Sequence, residues 1–219
     1  MLAVLTDILT NLEVPEVLKF SYWQGKRESD TTQLTTFFRH LIQSSLLIRS
    51  MAHLSLKYSG FTSLCSRLTA ACGLVITKVA RDKKMRFATE LIVREMTEAF
   101  MVEIGLGYDE KKEEYIANQN LMHRWHDCSF ISRVSFLLQH LICIHKTGAT
   151  GTTNSSTGAT KSIKFEERLL NGMIFLIYHV QVAALLKPAM ELFQLLLTAP
   201  ETSIKGIKNP KDFSYYFSQ

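Results

Sequence analysis

The sequence predicts an all-α protein, and three observations support that prediction. Apolar residues recur at the spacing of amphipathic helices along most of the 219-residue chain. No segment shows the alternating pattern of two strands joined by a hairpin turn. The one long interruption is a Gly-, Thr- and Ser-rich tract at 147–162, which we expect to form a flexible loop. Residues 1–200 are therefore predicted to form a single all-α domain.

The first predicted helices precede residue 60. One is expected at 1–13, and Pro15 then marks either a break or the first turn of a short second helix that ends at Phe20. A longer one begins after Asp30, whose side chain can cap it, and Ser59-Gly60 is expected to end it. Helical spacing predicts that its buried face contains Leu34, Phe37, Phe38, Leu41 and Ile42.

The middle of the chain is predicted to contain four more helices. A helix at 64–79 is favoured although it contains Gly73. A helix at 83–104, capped by Asp82, is expected to bury one face. Its charged residues are expected mostly on the other side: Glu90, Arg94, Glu98 and Glu103. The charged segment 109–125 is interpreted as a further helix, and Asp127 can cap the next. The inner face of that helix is predicted to contain Phe130, Val134, Leu137, Leu138, Leu141 and Ile142.

After the loop, 163–187 and 188–198 are predicted to form one helix kinked at Pro188 or two helices joined there. The apolar stretch 169–186 contains three polar residues, so we expect a core helix and no membrane span. Residues 201–219 form a basic and aromatic C-terminal tail. Helix starts near Asp30, Asp82 and Asp127 are separated by roughly one armadillo or HEAT unit. The architecture is therefore predicted to be a multi-helix bundle or a short armadillo/HEAT-like solenoid of about seven to nine helices.

Composition and cysteine content indicate what kind of domain to expect and in which compartment. Hydrophobic residues make up 47% of the chain and charged residues 21%, which suffices for a substantial core. The absence of a basic residue before the first apolar run leads us to expect an intracellular protein, nuclear or cytoplasmic. The four cysteines are expected to be buried free thiols rather than a disulfide framework: Cys65, Cys72, Cys128 and Cys143.

Two pairs of metal-binding side chains have helical i, i+3 spacing. They are His123 with His126, and His140 with Cys143. Four such ligands suit a tetrahedral zinc site. The second pair, however, lies in a helix whose pattern packing already explains, and no Cys-x-x-Cys sequence is present. We therefore expect no metal or other cofactor, with a zinc-stabilised helical module as an alternative.

A basic cluster suggests a second alternative. The formal net charge is +5, which permits nucleic-acid binding without requiring it. Five cations surround a predicted helix connection, where a phosphate backbone could bind or where the charges are simply solvated. They are Lys78, Arg81, Lys83, Lys84 and Arg86.

The C-terminal tail is the predicted partner-binding segment. Lys205, Lys208 and Lys211 lead into four aromatic residues, which can bury large apolar areas against another subunit or against the chain's own helices. These residues are Phe213, Tyr215, Tyr216 and Phe217.

No catalytic residues are predicted. The sequence contains no Gly-x-Ser-x-Gly elbow, and the carboxylates near Asp109 alternate with lysines, as on a solvated surface. We therefore expect a non-enzymatic scaffold or adaptor subunit of an intracellular assembly. Its expected partners are other protein subunits, with nucleic acid as an alternative partner.

Overall fold

The computed structural model describes residues 31–54, 59–81, 86–109, 114–146 and 159–198, and most of this part is helical. Two antiparallel strands form its only sheet, β1 (Leu106–Asp109) and β2 (Glu114–Ala117). A 3-10 helix at Gln119–Arg124 follows β2. The α-helices are α1 (Thr31–Leu54), α2 (Ser59–Arg81), α3 (Arg86–Ile104), α4 (Cys128–Lys146), α5 (Ala159–Phe175) and α6 (Ala183–Thr198).

Helices α3 and α4 lie at the centre of the described fold. Helix α3 contacts α1, α2, α4, α5 and β1, while α4 contacts α1, α2, α3 and α6. One apolar core draws residues from all six helices and from β1. The described residues therefore support an all-α fold, to which the small sheet is added at one edge. A repeat of the armadillo or HEAT type is not established by these contacts.

The inner faces predicted for α1 and α4 are largely confirmed. All six residues predicted for the inner face of α4 are buried, and so are Phe136 and Ile144, which the pattern missed. In α1, Phe37 is the exception, because it is 40% exposed. The other four predicted residues are buried: Leu34, Phe38, Leu41 and Ile42. Helical periodicity thus located the core accurately where it extends over several turns.

The predicted helix at 109–125 is wrong. This segment contains the end of β1, all of β2 and the 3-10 helix. Pairing places Leu106 opposite Ala117 and Tyr108 opposite Tyr115. The two tyrosine rings pack with centroids 5.0 Å apart. Each strand has only four residues, so its alternation is too short to outweigh the charge pattern that favours a helix.

Two predicted helix boundaries are also wrong. Ser59 and Gly60 begin α2 instead of ending the preceding helix, since α1 ends at Leu54. The last two α-helices are separated by a π-helix at Leu176–Val180 and by Gln181, and not at Pro188. Gln181 adopts a left-handed conformation with φ of 50°. Pro188 lies inside α6, where its ring removes one backbone hydrogen bond without ending the helix.

The end of the predicted loop is helical, and one helix has the length of a membrane span. Helix α5 begins at Ala159, within the last four residues of the predicted loop, and 147–158 lie outside the described residues. Helix α4 is long and apolar enough to cross a membrane by length and composition alone. This is weak evidence, because a core helix passes the same test, and α4 contacts four other helices.

Candidate partner-binding surface

An open groove runs along β1, between the last turn of α3 and the 3-10 helix. Its volume is about 520 Å³. Every residue from Gly105 to Asp109 lines it, whereas β2 contributes only Ile116. Its other lining residues are Met101, Val102, Asn118 and Leu121. We call this surface the β1 groove.

A tight turn after α3 creates the groove. Gly105 has φ of +77°, which favours glycine, and this conformation directs the chain from α3 into β1. The Asn118 amide donates to the Gly105 carbonyl at 2.7 Å, so the two ends of the hairpin are held together. A side chain at position 105 would also meet Leu121, whose Cδ1 would lie 3.2 Å from an added Cβ. The turn therefore brings α3, the hairpin and the 3-10 helix into contact.

Large apolar side chains around the groove face solvent. Val102 is 70% exposed and Ile116 is 45% exposed, and both line the groove. Tyr108, which also lines it, is 41% exposed. Met122 is 40% exposed and follows Leu121 in the 3-10 helix. A concentration of exposed apolar side chains in one concave region is typical of a protein-binding surface.

The opposite side of the hairpin is attached to the core. Leu106 is buried, and Tyr115 packs against the core from the same face. Burial raises the pKa of Tyr115 to about 12, and the nearby Glu167 carboxylate of α5 adds to this effect. The phenol therefore stays neutral, and Leu106 and Tyr115 attach the hairpin to the core.

Helix α3 supplies three carboxylates that bind arginines on three different helices. Glu103 accepts a hydrogen bond from Arg133 of α4 at 2.9 Å, and Arg168 of α5 bonds to both oxygens of Glu98. Glu98 and Glu103 were predicted to lie mostly on the side opposite the inner face, and in the structure both are partly buried in these pairs.

The third of these carboxylates, Glu95, was missed. It is only 4% exposed and accepts two hydrogen bonds from Arg39 of α1, at 2.7 and 3.1 Å. Its spacing of three residues after Ile92 places it on the inner face, and that signal was available in the sequence. The three pairs position α3, and therefore the groove that its last turn lines, relative to α1, α4 and α5.

The proposed zinc ligands do not form a cluster. His123 and His126 are exposed near the 3-10 helix. His140 donates from Nδ1 to the Phe136 carbonyl at 2.8 Å, and its ring packs 4.3 Å from that of Phe136. Burial lowers the pKa of His140, so the neutral ring is favoured. In the described part of the chain, no three His, Cys, Asp or Glu side chains are arranged to hold a metal ion.

His140 has a different neighbour, which explains the glycine in α2. A Cβ added at Gly73 would lie 2.3 Å from His140 Nε2, so only glycine leaves room for the imidazole. The helix predicted at 64–79 is thus confirmed, within the longer α2, and Gly73 permits close packing of α2 against α4.

The cysteine prediction is partly wrong. Cys72 is buried and Cys143 is half-buried, and both are free thiols. Cys128, however, is exposed at the first position of α4. Cys128 lies next to the helix start predicted after Asp127, and a helix start is more accessible than a helix centre. The Cys65 side chain lies outside the described residues.

The basic cluster and the tail lie mostly outside the described residues. Lys78 is exposed on α2, while Arg81 ends that helix and Arg86 begins α3. Lys83 and Lys84 lie outside the described part, as do the aromatic residues of the tail: Phe213, Tyr215, Tyr216 and Phe217. Both remain predictions.

Sequence reasoning also missed the β1 groove itself. Val102 and Ile116 have no distinctive chemistry, and they meet only because Gly105 turns the chain. A usable signal was the pair of short alternating runs on either side of a charged segment, LGY at 106–108 and YIA at 115–117.

Comparison of the chain with known protein families, curated proteins and solved structures finds no match.

Proposed function

We propose that this chain is a non-enzymatic scaffold or adaptor subunit of an intracellular multiprotein assembly. It binds partner proteins through the β1 groove, through helical surfaces and through the tail at 201–219. The observation that carries the proposal is the exposure of Val102, Tyr108 and Ile116 around one groove. Apolar side chains at the centre of a concave surface are what protein partners bury on association.

The groove has the chemistry of binding rather than catalysis. Among the described residues its lining is mainly apolar, and Asp109 is the one carboxylate that they contribute. A general acid–base mechanism needs positioned titratable groups around a substrate, and this lining offers no such pair. Polar residues at its rim, Asp109 and Asn118, suit the orientation of a partner.

We also propose that the helices form a bundle rather than a solenoid. In a solenoid, each repeat packs mainly on its neighbours. Here α3 and α4 each contact four other α-helices, and the six helices share one core. A compact bundle leaves the β1 groove at its edge as the concave binding surface.

A matched pair of substitutions tests the binding role. Val102→Glu places a charge in the groove, whereas Leu47→Glu places one at a 62%-exposed position on α1. Partners are first identified by affinity purification with the full chain, and the dissociation constant of one purified partner is then measured for each variant.

We expect Val102→Glu to weaken binding about tenfold or more, because a buried anchor at an interface commonly contributes over 1 kcal/mol. Leu47→Glu is expected to leave it unchanged. Both variants should keep the wild-type melting temperature. Wild-type affinity in Val102→Glu, for every partner identified, would contradict the role of the groove.

A further inference from the structure

The outer edge of β1 is a candidate position for a third strand. Within the described residues, β1 pairs with β2 alone. In an antiparallel pair of strands, residues whose backbone groups bond to the partner strand alternate with residues whose backbone groups point away from it. The bond from the Asn118 amide to the Gly105 carbonyl makes these two residues a bonded pair and so sets the phase of this alternation. That phase directs the amides and carbonyls of Leu106 and Tyr108 away from β2, along the groove. An edge of this kind can accept an extended segment by strand addition.

A segment of the chain itself has the pattern of such a strand. Lys211, Phe213, Tyr215 and Phe217 alternate with Asp212, Ser214 and Tyr216. Because successive side chains of a strand point to opposite faces, the lysine and three aromatic rings share one face. Pro210 comes just before this run, and a proline is tolerated at a strand start.

We propose that residues 211–217 add to the outer edge of β1 as an antiparallel strand and occupy the β1 groove of the same chain. In the register that we infer, Lys211 lies opposite Asp109 and Phe213 lies opposite Gly107. Tyr215 then lies beside Gly105, and Phe217 approaches Val102 at the end of α3.

Space and charge both favour this register. Among the described residues, a Cβ built at Gly107 meets the Ile116 carbonyl oxygen alone, at 3.8 Å, so they leave room above this glycine for an aromatic ring. Asp109 is paired with Glu114, and like charges directly opposite each other are unfavourable. Residues 109–114 contain four carboxylates and two lysines, a net charge of −2, which attracts Lys211.

The chain is long enough to make this contact. Residues 199–210 join the end of α6 to the proposed strand, and twelve extended residues span roughly 40 Å. The longest described helix, α1, has 24 residues and is about 36 Å long. The linker is therefore about as long as the longest described helix, a length that suits a contact between the end of α6 and the groove.

This inference goes beyond the proposed function, because it concerns a contact within one chain. If it holds, a partner that binds the groove must displace the tail. Its release then exposes the apolar groove and the tail aromatics together. The contact would thus keep both binding surfaces covered until a partner competes for them.

A disulfide trap tests the contact in the full chain. Gly107→Cys and Phe213→Cys are combined, and Cys128→Ser removes the exposed native thiol. Opposite residues in a non-hydrogen-bonded pair are close enough for a disulfide. The control combines Leu47→Cys with Phe213→Cys in the same background. We expect mild oxidation to give a monomer with a 107–213 bond, identified by mass spectrometry of the peptides.

Each other outcome of this trap overturns the proposal. Equal or faster linkage in the control would show that the tail has no preference for β1. Absence of the 107–213 bond would exclude the register. Linkage only between chains, seen as a disulfide-bonded dimer, would assign the groove to the tail of a second copy.

Amide hydrogen exchange tests the same contact with β1 unmodified. In the full chain, replacing Phe213, Tyr215 and Phe217 by Ser should speed exchange at the Leu106 and Tyr108 amides about tenfold, the effect of losing a hydrogen bond of ordinary strength. The control, Tyr216→Ser, changes the opposite face of the proposed strand and should have little effect. Unchanged exchange in the triple variant would refute the added strand. Neither experiment involves a partner, so failure here leaves the scaffold proposal to its own test.

Discussion

The two faces of α3 differ in what surrounds them. In its second half, Met96 and Phe100 are fully buried. Two residues after Phe100, Val102 is 70% exposed beside the β1 groove. Because residues two apart on a helix point in different directions, one turn of α3 serves both the core and the surface. Stability and partner binding are therefore expected to separate cleanly in mutants of this helix.

The largest expected effect comes from Phe100→Ala. Phe100 is inaccessible to solvent, and its Cε1 would lie 2.7 Å from a Cβ added at Gly172, so α3 and α5 are closely packed there. Truncation of a buried Phe leaves a cavity and costs about 3–5 kcal/mol. Val102→Ala is the matched control and should change the free energy of unfolding by less than about 0.5 kcal/mol. Urea unfolding of both variants measures the difference.

Similar losses of stability in the two variants would break the comparison. They would show that the exposed face of α3 at Val102 is as tightly coupled to the core as its buried face at Phe100. A loss confined to Phe100→Ala would support the use of Val102→Glu as a selective probe of partner binding.

The same contrast explains which elements were predictable from sequence. Helix α4 repeats its apolar pattern over five turns, so its buried face could be recognised from local spacing alone. The hairpin has two four-residue strands, and it is held by Tyr115 packing near α5, about fifty residues further along the chain. Such long-range contacts leave little local signal. The groove depends on that hairpin and was missed for the same reason.

The residues selected from the sequence as functional candidates are not the ones that the structure places at the groove. Chemical type drew attention to His140, but its surroundings make it a packing residue between α2 and α4. Val102 and Ile116 have ordinary side chains and become distinctive only through exposure beside Gly105. Residue type therefore identifies sites of chemistry more readily than surfaces for binding.

The second prediction concerns pH and the end of α4. Burial lowers the pKa of His145 from 6.5 to about 4. Between these values the unfolded chain binds a proton that the folded chain does not, so stability falls as pH decreases from 6.5 towards 4. The loss is about 1.4 kcal/mol for each pH unit in that window, and below it both states are protonated. Urea unfolding at pH 7.0, 6.0 and 5.0 measures the slope.

The variant His145→Gln provides the control for this slope. Carboxylates and the other histidines titrate in both proteins, so only the difference between the two slopes reports on His145. We expect a shallower decline in the variant. Parallel curves would show that this end of α4 opens to solvent as readily as the groove does, and the contrast between core and edge would then weaken.

The third and smallest expected effect compares two glycines. Gly73 lies against His140, where an added Cβ would be 2.3 Å from Nε2, while a Cβ added at Gly107 in β1 would be 3.8 Å from the Ile116 carbonyl oxygen, an ordinary contact. In a helix interior, Ala is intrinsically favoured over Gly by about 1 kcal/mol. Overpacking costs roughly 1–3 kcal/mol, so Gly73→Ala should be destabilising by about 1 kcal/mol or slightly more. Gly107→Ala should be neutral or slightly stabilising.

The sign of the Gly73 effect can be reversed by removing the obstacle. In a His140→Ala background the imidazole is absent, so the same Gly73→Ala change should gain the helix propensity of alanine and stabilise the protein by up to about 1 kcal/mol. Thermal unfolding of the four proteins in this double-mutant cycle measures the coupling. If Gly73→Ala destabilises equally with and without His140, contact with the imidazole is not what requires glycine, and close packing of α2 on α4 must depend on another neighbour.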